Sequence, residues 1–228
     1  MKGADVKRAQ KAHGPMERQA HALLEEAARL VQKVPAAVTR QLAAAAETLV
    51  ACLESGGTVY FCGNGGSAAD AQHFACELAG RYTMDRPPLA AVALSTNTSS
   101  LTAIGNDFGF EQTFSRQLEE LGTPGDVLIA ITTSGKSRNV LRAVQAAHAL
   151  GMIVIGMTGR PGDRFAGLCD HALITPNDVT PRIQEGHLLM GHALCELVER
   201  SLFAPRPTNH ARRPALRVAS RTSARKPR

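Results

Sequence analysis

Residues 59–77 read VYFCGNGGSAADAQHFACE. An apolar run, Val59 to Cys62, breaks into Gly63-Asn64-Gly65-Gly66-Ser67, and an alanine-rich segment without Gly or Pro follows. That order predicts a strand, a tight loop and a helix. The glycines let backbone N–H groups approach a ligand, and the helix start adds positive partial charge, so the loop suits an anion such as phosphate. Farther along the same helix His73 and Glu77 stand four residues apart and share a face. A nucleotide loop needs no such pair. The stretch reads as half of an active site.

Working outward, the same alternation recurs. Leu89–Leu94, Asp126–Ile131 and Met152–Met157 are short apolar runs expected to be strands, and His171–Thr175 is a candidate fifth. Helical segments are expected between them, with short ones around Ser99–Ile104 and Glu111–Leu121 separated at Gly105-Asn106-Asp107. Strands of four to six apolar residues alternating with helices predict an α/β three-layer sandwich on a mostly parallel five-stranded sheet. Two further helices, within 17–33 and 35–54, precede the first strand and either cover the sheet or pair with another subunit. In such sheets ligands bind outside the carboxyl ends of the strands. The Gly63–Ser67 loop, the Ser95–Asn97 strand end and the loop Thr132-Thr133-Ser134-Gly135-Lys136-Ser137 all fall on that edge. A last helix is expected from Thr180-Pro181, with Thr180 as its N-cap, to Phe203. On it Gln184 and His192 are eight residues apart, ~80° around the axis, and can face one site, whereas His187 lies ~140° from His192. His187 and His148 are read as structural.

With 228 residues, 44% hydrophobic and 20% charged, the chain suits one sizeable globular domain. The formal charge of +6 belongs to one end: Ala204 to Arg228 hold seven Arg and one Lys and no acid, so the rest carries 6 − 8 = −2. Residues 1–15 and 204–228 are expected to be disordered basic extensions around a domain at 16–203. The tail is the one place where a nucleic-acid contact is conceivable, and it has no aromatic residue to stack on bases. Five cysteines without CxxC spacing argue for free thiols in a reducing compartment rather than a zinc–thiolate site. The N-terminus lacks the apolar core of a secretory signal, and no 18-residue apolar run is found, so no membrane span and a cytoplasmic protein are expected.

Two familiar phosphate-binding readings fail. GNGGSA fits a loose G-x-G-x-x-A, but the second strand ends Leu94-Ser95-Thr96-Asn97, without the acid that holds a dinucleotide's ribose. Gly135-Lys136-Ser137 resembles the end of a P-loop, but its first Gly would stand at Ala130. What remains at 132–137 is four hydroxyls, more than a helix cap requires.

The paired loops GNGGSAADAQH and TTSGKS, with the last helix TPRIQEGHLLMGH, resemble the sugar isomerase (SIS), flavodoxin-like fold over residues 19–203. More closely, H-x-x-x-E combined with R-I-Q-E-x-H-x-x-x-x-H resembles the sedoheptulose-7-phosphate (phosphoheptose) isomerases. The resemblance implies isomerisation of sedoheptulose 7-phosphate to D-glycero-D-manno-heptose 7-phosphate by a cytoplasmic homotetramer with one zinc per subunit. It implies His73, Glu77, Gln184 and His192 as zinc ligands, with Glu77 and His192 also the acid–base pair. It implies substrate contacts from Asn64, Gly65, Gly66, Ser67, Asn106, Asp107, Thr132, Thr133, Ser134, Ser137 and Gln184. Thr132 and Lys136 stand where Ser and Asn are more usual. Non-enzymatic relatives of this fold that bind the replication initiator lose the Glu and the last His; a phosphosugar-binding regulator is the other alternative.

Overall fold

The structure, a computed structural model, describes residues 14–32 and 34–205. The expectations for residues 1–13 and for the tail from 206 onward lie outside them. Helices α1 (Pro15–Gln32) and α2 (Ala36–Glu54) precede strand β1 (Val59–Cys62) and helix α3 (Gly66–Ala79). Then come β2 (Ala91–Ala93), α4 (Thr98–Phe108), a 3-10 turn (Phe110–Gln112) and α5 (Ser115–Leu121). β3 (Val127–Ile131), α6 (Arg138–Ala149) and β4 (Ile153–Gly159) follow. After a second 3-10 turn (Arg160–Gly162) the chain closes with α7 (Asp163–Ala166), β5 (His171–Thr175) and α8 (Thr180–Phe203).

The five strands pair in the order β2-β1-β3-β4-β5, each pair parallel, so the sheet is parallel throughout. Side chains alternate across it with period two. Val59, Phe61, Val127, Ile129, Ile131, Ile155 and Met157 pack on one face with Leu49 of α2, Phe74 and Leu78 of α3, and Met190, Leu194 and Val198 of α8. Tyr60, Cys62, Leu128, Ala130 and Val154 pack on the other with Leu118 of α5, Val140, Val144 and Ala147 of α6, and Phe165 of α7. Both faces are buried, which is why the strands read as continuous apolar runs. Each such large side chain contributes about 1.5–3 kcal/mol on burial.

The two leading helices differ in how much they bury. α2 covers the sheet with Ala45, Ala46, Leu49 and Cys52. α1 buries Leu30, leaves Met16, Leu23, Leu24 and Val31 exposed, and is tied to α8 where Arg182 Nη1 donates to the Leu23 carbonyl at 3.1 Å. By length and composition alone α2 is apolar enough to cross a membrane; here Ala45, Ala46, Leu49 and Cys52 lie in the core.

Two local expectations are corrected. Gly105-Asn106-Asp107 is no break: α4 runs through it, and the chain turns at Gly109, whose φ of +92° only glycine adopts readily. Thr180 is the first helical residue rather than the cap; the N-cap is Val179, with no side-chain cap bond. β2 is shorter than read and β4 extends to Gly159.

This strand order reverses between β1 and β3, and a crevice opens outside the strand ends at such a switch point. The loops after β1 and β3 flank it.

Candidate active site

α3 and α8 lie side by side in the same direction. At their start, a Cβ on Gly66 would collide with the amide of Gln184; one stretch later, a Cβ on Gly191 would enter the ring of Phe74. These glycines let the helices approach closely, and the approach brings the two halves of the sequence motif together. His73 Nε2 lies 2.8 Å from His192 Nε2 and 3.6 Å from Glu77 Oε1. The donor atoms of His73, Glu77 and His192 all lie within 4.8 Å of one another. Phe74 and Tyr82 flank the His192 ring, with centroids 6.2 Å and 5.7 Å away. The His73 side chain is 42% exposed and that of Glu77 20%, so the cluster is open to a ligand.

The anion loops are held by their own polar groups. Asn64 and Asn139 exchange two side-chain hydrogen bonds, each 2.8 Å, between the β1 loop and the first turn of α6. Asn139 is buried and also donates to Thr113 Oγ1 at 3.4 Å. Gly65, at φ +55°, precedes α3, which has no side-chain cap. Ser137 is the N-cap residue of α6, yet its hydroxyl caps nothing and instead pairs with Thr132 Oγ1 at 3.2 Å. Ser134 Oγ accepts from the Lys136 N–H at 3.3 Å. Gly135, at φ +66°, allows the loop to pass tightly over Gly162 and Phe165. Two helix N-termini without side-chain caps thus flank the switch point, an electropositive setting for phosphate.

The structure therefore brings His73, Glu77 and His192 together and sets Asn64, Gly65, Gly66, Ser67, Thr132, Thr133, Ser134 and Ser137 around the switch point. Ser67 is buried, with its N–H donating to the Asn64 carbonyl. Gln184 is placed at the head of α3, with its amide against Gly66. Asn106 and Asp107 are exposed and bonded to each other, and Asp107 lines a separate cavity with Asn97, Ser100 and Arg116; the structure does not bring them to the cluster. His187 is fully buried, away from the cluster, and burial draws its pKa down to about 4 against the nearby Thr158 backbone. His148 contacts the Leu168 carbonyl at 3.0 Å.

Sequence reading missed Asn139, Tyr82 and Asp70. Asn139 carried a signal: a polar residue two positions after Ser137, where the helix is already buried. Asp70 lies one turn before His73; burial raises its carboxyl, the His73 charge opposing. Four of the five cysteines are held as thiols by burial. Burial pushes Cys62, Cys169 and Cys195 up to about 12 and Cys52 to about 11, and all five are free.

Two imidazoles and a carboxylate at these spacings fit a divalent metal. Zinc takes such ligands at ~2.0–2.2 Å, in sites that keep one position for water or substrate.

Comparison with known proteins agrees with this geometry. Residues 23–159 match the SIS domain family model. The chain is 56% identical over 159 residues to a phosphoheptose isomerase of Campylobacter jejuni, covering 70% of this chain and 86% of that protein. It is 49% identical over 180 residues to that of Trichlorobacter lovleyi, covering 79% and 92%. Among solved structures, the phosphoheptose isomerase GmhA of Neisseria gonorrhoeae superposes with a TM-score of 0.76 at 46% identity, over 81% of this chain and 98% of that one. The enzyme from Francisella tularensis superposes at 0.77 and 40%, over 80% and 97%. With its paired loops, its parallel sheet and its His–Glu–His cluster, the chain belongs to the phosphoheptose isomerase family of SIS-domain proteins.

Proposed function

We propose that the chain is a zinc-assisted aldose–ketose isomerase converting D-sedoheptulose 7-phosphate into D-glycero-D-manno-heptose 7-phosphate, the first step toward nucleotide-activated heptoses. The observation that carries this is the meeting of Glu77 with His73 and His192 beside two anion loops. The printed names of relatives at 49–56% identity support the substrate.

Moving a proton between C1 and C2 through an enediol requires a base over the carbon, an acid for the oxygen and a means of holding developing charge. Glu77 takes the proton from carbon, and His192 serves the oxygen. His73, Glu77 and His192, with Gln184 as the fourth donor, would hold one zinc per subunit, which when bound supplies Lewis-acid polarisation of the carbonyl. The phosphate sits between the α3 and α6 N-termini, against Gly65, Gly66 and Ser67 and the hydroxyls of Thr132, Thr133, Ser134 and Ser137. Asn64 holds the β1 loop in place, and Gln184 lines the passage beside Gly66. Asn106 and Asp107 take sugar hydroxyls. Lys136, exposed beside the loop, adds charge suited to phosphate.

A binding protein of this fold could keep the cradle and dispense with Glu77 and His192; their convergence favours the enzyme. A homotetramer and a cytoplasmic setting belong to the same proposal, and the exposed apolar residues of α1 support self-association. Incubation with sedoheptulose 7-phosphate, followed by NMR, tests the reading. Formation of the manno-heptose 7-phosphate, lost on chelation and restored by zinc, is expected; no turnover by zinc-loaded protein would refute it.

A further inference from the structure

A second polar cluster lies behind the site, where α3 ends. We infer that the buried Arg86–Glu199 pair is a positioning device: it fixes the last turn of α3, and so Glu77, against the part of α8 that carries His192, and it seats Tyr82 on the His192 ring. The inference rests on the reading of Glu77 and His192 as the reacting pair.

Glu199 follows His192 by seven residues, two turns on and on nearly the same face of α8. Its side chain is fully buried, and that of Arg86 is 1% exposed. One carboxylate oxygen accepts from the Tyr82 N–H at 3.0 Å and from Arg86 Nε at 3.0 Å. The other accepts from the Thr83 N–H at 2.7 Å, the Thr83 hydroxyl at 2.8 Å and the Met84 N–H at 2.9 Å. The Arg86 guanidinium then reaches back to α3. Nη2 donates to the Glu77 carbonyl at 2.8 Å, and Nη1 to the carbonyls of Leu78 at 2.7 Å, Gly80 at 3.3 Å and Pro87 at 3.0 Å. The carbonyls of Glu77 and Leu78 are among the last four of the helix, which have no partner within it.

The arrangement reaches both members of the reacting pair, one directly and one through Tyr82. Arg86 bonds the backbone of Glu77 itself. Glu199 holds the turn that places Tyr82 5.7 Å from the His192 ring. A buried ion pair is an expensive way merely to join two helices, since packed apolar residues often serve as well. What an apolar contact lacks is direction: a planar guanidinium sets several carbonyls at fixed angles at once, and a lysine cannot. The reacting groups need that precision, because misplacement by about 1 Å costs roughly 10²-fold in rate.

The test compares Arg86→Lys with Asp126→Asn, which alters a buried carboxylate at the opposite edge of the sheet. Thermal melting, kcat and KM on sedoheptulose 7-phosphate, and the visible spectrum of Co2+ added to metal-free protein are measured for each. For Arg86→Lys we expect kcat to fall about 10- to 100-fold with KM within about threefold, and the Co2+ spectrum to change. Asp126→Asn, though less stable, should keep both. Wild-type kcat and spectrum in Arg86→Lys, or a loss that Asp126→Asn shares in proportion to its lower Tm, would overturn the inference. If Arg86→Lys does not fold, Tyr82→Leu, which leaves the ion pair intact, should lower kcat severalfold; unchanged kcat and Co2+ spectrum would sink the proposal. If the wild-type protein does not turn over sedoheptulose 7-phosphate, the isomerase reading fails, and the Co2+ spectra still decide the positioning role.

Discussion

At the amino edge of the sheet Asp126 is buried and fully engaged: one oxygen accepts from the Thr58 N–H at 2.8 Å, the other from the N–H and hydroxyl of Thr123 at 2.8 and 2.9 Å. At the carboxyl edge Asp70 holds a buried oxygen with no protein partner, and burial raises its carboxyl. The contrast extends beyond these two residues. Among the described residues, the other buried side-chain polar atoms without a partner are Thr158 Oγ1, near the carboxyl end of β4, and both ring nitrogens of the neighbouring His187. One edge spends its polar groups on the fold, and the other leaves some unspent. Unpaired buried groups lower stability, so their concentration on the ligand side marks where the molecule trades stability for function.

Breaking the carboxyl edge at the proposed reacting pair should have the largest effect. Glu77→Gln keeps the shape of the side chain and removes the proposed base, so kcat should drop roughly 10²- to 10⁴-fold. Tm and the circular dichroism spectrum should stay near wild type, because Glu77 is partly exposed and supports no core packing. Full activity in this variant would end the proposed mechanism. A smaller loss is expected at the cradle. Ser137→Ala removes one hydroxyl from the anion loop, a hydrogen bond to charge of about 1.5–3 kcal/mol. KM for the sugar phosphate should rise about 10- to 150-fold, with kcat little changed; a fall in kcat alone would place Ser137 in the chemistry instead.

The amino edge should respond in the opposite sense. Asp126→Asn gives up a charged acceptor that joins the chain before β1 to the chain before β3, and a stability loss of about 1–3 kcal/mol is expected in urea unfolding. The folded fraction should retain its kcat and KM. A specific loss of activity would show that the two edges are coupled, and the contrast drawn above would have to be abandoned.

How much of this was legible in the sequence follows the same division. β1 matches its apolar run residue for residue, because a strand buried on both faces has no polar positions to blur its ends; β5, a half-buried edge strand, keeps its expected bounds as well. The pairing order depends on contacts between distant segments, and no local pattern encodes it. Gly105-Asn106-Asp107 reads as a turn by composition, yet α4 passes through it and the chain turns only at Gly109. In the site, His73 and Glu77 were visible from their i,i+4 spacing, and His192 from its angle to Gln184 and from the family resemblance. Arg86 was not visible. It lies in a proline-bearing loop, and its partner Glu199 is 113 positions away.

The finest test of the contrast concerns His187, which is on the ligand side but in the interior. Its folded pKa, drawn down by burial to about 4, lies below the ordinary 6.5. On falling pH the unfolded chain therefore takes up the proton first. The unfolded state binds more protons between these two values, so this residue's contribution to stability is complete above pH 6.5 and is lost as pH falls toward 4. His187→Leu removes the titration. The difference in unfolding free energy between wild type and variant, measured by urea from pH 7.5 to pH 4.5, should be flat at the upper end and move in the variant's favour below about 6.5. A difference that stays constant across the range would mean that the imidazole finds, in solution, a partner for its proton, and His187 would then join Asp126 among the polar groups already engaged.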